Sequence, residues 1–112
     1  MKYKTHNETK IDTSGTYLLD CINVSFYKLV EKLGTRSDFY DDYKSDAEWQ
    51  IVFEDGLVAS IYNYKDGVNY LGEDGILTKD IRDWHIGGKS EKVVERINHI
   101  LTEVDGYIKE NQ

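Results

Sequence analysis

Residues 47–67 read AEWQIVFEDGLVASIYNYKDG, and the way this stretch pairs with itself decides the fold. Ala47, Trp49, Ile51 and Phe53 are apolar at every second position, the period of a strand with one buried face; Val52 alone breaks the alternation. Asp55-Gly56 marks a turn. A two-residue loop would set Trp49 opposite Tyr62 and Ile51 opposite Ser60. A three-residue loop, Glu54-Asp55-Gly56, sets Phe53 opposite Leu57, Ile51 opposite Ala59 and Trp49 opposite Ile61, so that all six apolar side chains share one face. It also puts Gly56 at the third loop position, where left-handed backbone is required. The pattern predicts an antiparallel hairpin with a glycine bulge.

Working outward toward the N-terminus, residues 35–46 (TRSDFYDDYKSD) form a polar loop carrying aromatic residues. Before it, Ser25 can cap a short helix in which Phe26, Leu29, Val30 and Leu33 share a face and Gly34 is a natural stop. Residues 16–24 (TYLLDCINV) read as a strand. Residues 1–14 are polar and aperiodic, which predicts a flexible N-terminal arm. Toward the C-terminus, residues 65–80 form a long, glycine-punctuated connection with a short strand around 68–71. Residues 81–86 (IRDWHI) read as a strand with Trp84 and Ile86 inward. From Ser90, the stripe Val93, Val94, Ile97, Ile100, Leu101, Val104 and Ile108 predicts a long C-terminal helix over 90–105, loosened by Gly106. The expected fold is α+β: residues 15–112 make a single domain in which an antiparallel sheet packs a short helix and a long C-terminal helix on one face.

The chain of 112 residues carries 21 acids against 14 bases, a formal net charge of −7. Binding to a nucleic acid backbone needs a basic surface, so direct nucleic acid binding is not expected. An acidic surface suits solubility or a basic partner. No apolar run is long enough to span a membrane, and the N-terminal stretch lacks the apolar centre of a signal peptide; a cytoplasmic protein is expected. The lone cysteine, Cys21, fits a reducing compartment, and its apolar strand context reads as inert packing.

Residues 87–90 (GGKS), ahead of a helix, resemble the end of a phosphate-binding loop. That loop needs a further glycine at position 83, where this chain has Asp83. The glycines are better explained by a sharp exit from a strand, with Ser90 as the helix cap. Anion binding at Gly87, Gly88, Lys89 and Ser90, for example of a nucleotide, is the alternative functional reading. His6, Cys21, His85 and His99 form no close ligand pair, so neither a metal nor a cofactor is expected. No serine or cysteine has the sequence context of an activated nucleophile, and the paired acids lie in polar loops. The chain reads as a non-enzyme.

A surface feature remains. Asp38, Asp41, Asp42, Asp46 and Glu48 interleave with Phe39, Tyr40 and Tyr43, opposed only by Lys44; Tyr62, Tyr64 and Tyr70 lie on or after the hairpin. Acids with aromatics between them can dock on an arginine-rich surface. The candidate partner-binding set is Asp38, Tyr40, Asp41, Asp42, Tyr43, Asp46, Glu48 and Tyr64.

The hairpin residues Trp49, Ile51, Phe53, Asp55, Gly56, Ile61, Tyr62 and Lys65, followed by Trp84, Ile86, Gly87 and Gly88, resemble a set of small proteins encoded by bacteriophages and prophages. The resemblance spans roughly residues 44–101 and brings no catalytic residues with it. It implies a phage context, in which small acidic proteins bind host machinery; anti-CRISPR proteins are one such kind. The resulting expectation is an anti-defence inhibitor in the host bacterial cytoplasm that binds a host protein with a basic surface, such as a nuclease. An exposed sheet edge or the aromatic face could also pair two copies as a homodimer.

Overall fold

A computed structural model describes residues 1–110. In chain order its elements are β1 (Lys2–Thr5), β2 (Tyr17–Asn23), α1 (Phe26–Leu33), β3 (Glu48–Phe53), β4 (Val58–Tyr62), α2 (Val68–Leu71), β5 (Asp83–Gly88), α3 (Lys92–Leu101) and β6 (Ile108–Lys109). Two single 3₁₀ turns, Gly72–Asp74 and Thr78–Asp80, lie between α2 and β5. The strands form one six-stranded sheet in the order β2-β5-β4-β3-β1-β6, antiparallel throughout except for the β1–β6 pair.

The β3–β4 hairpin has the register that the apolar alternation demands. Trp49 faces Ile61 and Ile51 faces Ala59. The Phe53 N–H donates to the Leu57 carbonyl at 2.9 Å and the Gly56 N–H to the Phe53 carbonyl at 2.8 Å. Gly56 has φ +88°, the left-handed position expected of it.

One sheet face carries Trp49, Ile51, Phe53, Ala59, Ile61, Trp84 and Ile86, all fully or almost fully buried. Leu29 and Leu33 of α1 and Val93, Ile97, Ile100 and Leu101 of α3 complete this core. Trp49 and Trp84 meet edge to face at 5.4 Å. Each indole N–H is satisfied by a carbonyl flanking α1: Trp49 donates to Gly34 at 2.8 Å and Trp84 to Val24 at 3.0 Å. The two tryptophans therefore fix both ends of α1 on the sheet. Ser25 caps α1 by accepting from the Lys28 N–H.

Four expectations need correction. The N-terminal segment is not wholly a flexible arm, because Lys2–Thr5 forms β1 between β3 and β6 and buries Tyr3 and Thr5. Residues 68–71 are a helical turn, not a strand. The C-terminal helix is not long: α3 ends at Leu101, and Val104 and Ile108 are exposed. Glu103 at φ +61° and Gly106 at φ +101° turn the chain back, and β6 then pairs with β1. Finally, Cys21 is exposed on the outer strand β2 rather than packed. No helix among the described residues is long and apolar enough to cross a membrane.

Candidate functional site: an acidic, aromatic surface on two braced loops

The loop between α1 and β3 is held against the segment after β4 by one buried carboxylate and one buried amide. Asp46 and Asn63 are 3% and 0% exposed. The Asn63 Oδ1 accepts the N–H groups of Asp46 (2.7 Å) and Ala47 (3.1 Å), while its Nδ2 donates to the carboxylates of Asp46 (2.8 Å) and Asp66 (3.0 Å). The second Asp46 oxygen accepts the Asn69 N–H at 3.1 Å. The Asn69 amide in turn reaches the carbonyls of Asp42 (2.9 Å) and Ser45 (3.1 Å). Gly67 lies directly over Asp46: a Cβ there would sit 1.9 Å from the carboxylate. Only glycine lets the second loop close on the first.

Asp46 is therefore a brace and not a surface contact. Tyr40 is similarly engaged: its hydroxyl donates to the Asp46 carbonyl at 2.8 Å, and Arg36 also bonds that carbonyl. Burial raises the Tyr40 pKa, and Asp42, Asp46 and Asp38 add to the rise against the opposing effect of Arg36. Glu48 is half-buried; burial raises its carboxyl pKa despite a 2.6 Å hydrogen bond from Gln50. The remaining expected partner-binding residues, Asp38, Asp41, Asp42, Tyr43 and Tyr64, are exposed.

Other exposed apolar residues, which the periodic sequence patterns do not mark, lie in the segments flanking the hairpin. Phe39 is 87% exposed, and Val68, Leu71, Ile76 and Leu77 are also exposed. Of the fifteen exposed large apolar side chains among the described residues, eight lie between residues 39 and 77, in the segments before and after the hairpin. The Tyr43 and Tyr70 rings pack at 5.4 Å, and Tyr64 stacks on His85 at 5.7 Å. Lys65, between these pairs, lies over both Tyr64 and Tyr70. Its contribution was hidden in the sequence because it depends on a loop fold with no period.

The other candidate features lie in the sheet, at the exit of β5 and beside the N-terminal segment. Gly87 and Gly88 are buried in β5, with Leu18 and Tyr17 on one side and Ser60 and Ala59 on the other, so their backbone is engaged in the sheet and does not wrap an anion. Lys89 is exposed, and the Ser90 hydroxyl accepts the Lys92 N–H at 3.3 Å just ahead of α3. On the sheet face away from the helices, Cys21, His85, Tyr62 and Glu48 are successive cross-strand neighbours. Among the described residues no group of three or more His, Cys, Asp or Glu side chains is placed to hold a metal ion. An open cleft of about 1020 Å³ separates residues 6–14 from 35–39, with His6, Lys10, Asp12, Arg36, Asp38 and Phe39 on its walls. Both His6 ring nitrogens are engaged there, Nε2 with the Thr35 carbonyl at 2.6 Å and Nδ1 with the Gln50 N–H at 3.2 Å. No protein-family model matches the chain, and no curated protein matches it in sequence.

Proposed function

We propose that this protein acts by binding another protein, as a phage-encoded inhibitor of a host antiviral nuclease of the CRISPR type, and not by catalysis. The observation that carries the reading is the braced surface itself: exposed Phe39 and Tyr43 stand among Asp38, Asp41 and Asp42 on a loop immobilised by Asp46 and Asn63. A rigid surface loses little conformational freedom on docking, and aromatic side chains with an acidic rim suit a groove built to hold phosphates. Attraction between the acids and such a groove speeds encounter, and burial of the aromatics supplies the affinity. The site of action is the host bacterial cytoplasm. A homodimer through the outer edge of β2 is compatible with the same surface, because that edge is distinct from the two loops.

The test is capture of a nuclease or its effector complex from host lysate on the immobilised chain, at low and high salt, beside the variant Asp41→Lys/Asp42→Lys. The wild type should retain the nuclease and suppress its activity. Charge reversal and added salt should each release it. Capture indifferent to both changes overturns electrostatic docking, and capture of no nuclease overturns the inhibitor reading.

A further inference from the structure

The proposed docking surface contains a small cation site already filled by the chain itself. The Lys65 Nζ lies 5.1 Å from the Tyr64 ring centroid and 5.4 Å from that of Tyr70. Each ring is backed by a second: Tyr70 by Tyr43 at 5.4 Å, and Tyr64 by His85 at 5.7 Å with the planes 27° apart. Lys65 makes no salt bridge to a carboxylate among the described residues, so its ammonium is held chiefly by the two aromatic faces. Its backbone has φ +59°, a conformation that side-chain-bearing residues seldom adopt, and its N–H is fixed to the Lys44 carbonyl at 2.8 Å. A β4 exit held in this conformation keeps the lysine between the rings.

We infer that Tyr64 and Tyr70 form a two-walled aromatic site for a partner's arginine, and that Lys65 occupies it as a displaceable stand-in in the free protein. This rests on the reading of the surface as a docking face for a basic partner. Aromatic faces attract cations through their quadrupole, and the planar, weakly hydrated guanidinium stacks on them better than an ammonium does. Asp41 and Asp42 lie on the loop that supplies Tyr43, so an arriving arginine meets carboxylates beside the ring wall. Lys65 leaves the rings for water when the arginine enters, and the free protein avoids presenting an empty aromatic slot.

The probe is a hexa-arginine peptide titrated calorimetrically into the whole chain, with hexa-lysine as comparison. Lys65→Asn removes the stand-in while keeping a residue that tolerates left-handed backbone; hexa-arginine should then bind about fivefold more tightly. Lys79→Ala, at an exposed lysine in the 3₁₀ turn before β5, removes the same charge from elsewhere and should give a smaller gain. Adding Tyr70→Ala to Lys65→Asn should abolish the difference from Lys79→Ala, and hexa-lysine should gain less than hexa-arginine from Lys65→Asn. If Lys65→Asn gives no more than Lys79→Ala while Asp41→Lys/Asp42→Lys still weakens the peptide, the aromatic site is wrong and the acidic docking face survives. If Lys65→Asn gives the expected gain but charge reversal has no effect, the aromatic site stands and the acidic reading falls. Absence of hexa-arginine binding to wild type and Lys65→Asn alike overturns both.

Discussion

Asn63 and Asp46 hold each other from both sides: the amide oxygen of Asn63 accepts the Asp46 N–H at 2.7 Å, and its amide nitrogen donates to the Asp46 carboxylate at 2.8 Å. With both residues buried, each satisfies a group that would otherwise be stranded away from water. Asn63→Ala removes partners from two backbone N–H groups and two carboxylates, those of Asp46 and Asp66, and should destabilise the protein by about 3 kcal/mol in urea unfolding. Hydrogen exchange should also quicken selectively in residues 38–46. Uniform quickening would mean that the loop is not held by this pair.

At the other edge, Tyr3 is 5% exposed, and its ring lies 6.3 Å from that of Phe53. Tyr3→Ala should cost about 3 kcal/mol, comparable to a core truncation. A loss near zero by denaturant titration would restore the view of the N-terminus as a loose arm.

Gly88 leaves little room for a side chain, because a Cβ there would meet Val93 Cγ2 at 2.8 Å and Leu19 Cδ1 at 2.9 Å and both side chains would have to shift. Gly88→Ala should lower stability by about 1–3 kcal/mol. Calorimetric titration with ATP should give no binding to the wild type and no change with Lys89→Ala. Tight nucleotide binding lost in that variant would reinstate the anion-binding alternative.

The pH response follows from two ion-paired acids, Asp55 and Glu103, and one half-buried acid, Glu48. The Arg96 hydrogen bonds hold Asp55 down to about 2, and the Lys28 and Lys32 hydrogen bonds hold Glu103 down to about 2. Acids depressed in the folded state stabilise it fully above their ordinary values, 3.8 and 4.5, and lose that contribution as pH falls through about 2. Asp55→Asn and Glu103→Gln should therefore lower Tm at neutral pH and converge on the wild type in strong acid. Glu48 has the opposite sign, because burial raises its pKa and its charged form opposes folding. Glu48→Gln should raise Tm at neutral pH, with the gain fading as pH falls through the raised value toward the ordinary 4.5. Melting curves across this range check both signs.

The hairpin was legible in the sequence because two local signals agreed, the alternation from Trp49 to Phe53 and a glycine at the one loop position that needs it. β1 was not, because Lys2–Thr5 places only Tyr3 and Thr5 inward, too few for a period, and its partners are distant in sequence. The helix end is not legible in the sequence because Val104 and Ile108 continue the apolar spacing after Glu103 has turned the chain. The acidic loop could be located but not sorted: an aspartate in a polar stretch reads as solvated, and Asp46 is distinguished only by Asn63, which folding brings to it. The exposure of Cys21 is not legible either, because an apolar-looking strand can still be the outermost one.

The strand order also sets a timetable. Only β3 and β4 are joined by a tight turn; β5 returns to β4 across residues 63–82, β1 must find residues 51–53, β2 must find residues 83–88, and β6 must return to residues 2–3. Most of the sheet thus depends on closing long loops, whose entropy opposes every pairing until it is made. Of the strand pairings the hairpin closes the shortest loop and is the one placed to form early and template the others, so the left-handed turn at Gly56 bears on the order of assembly as well as on which face is buried.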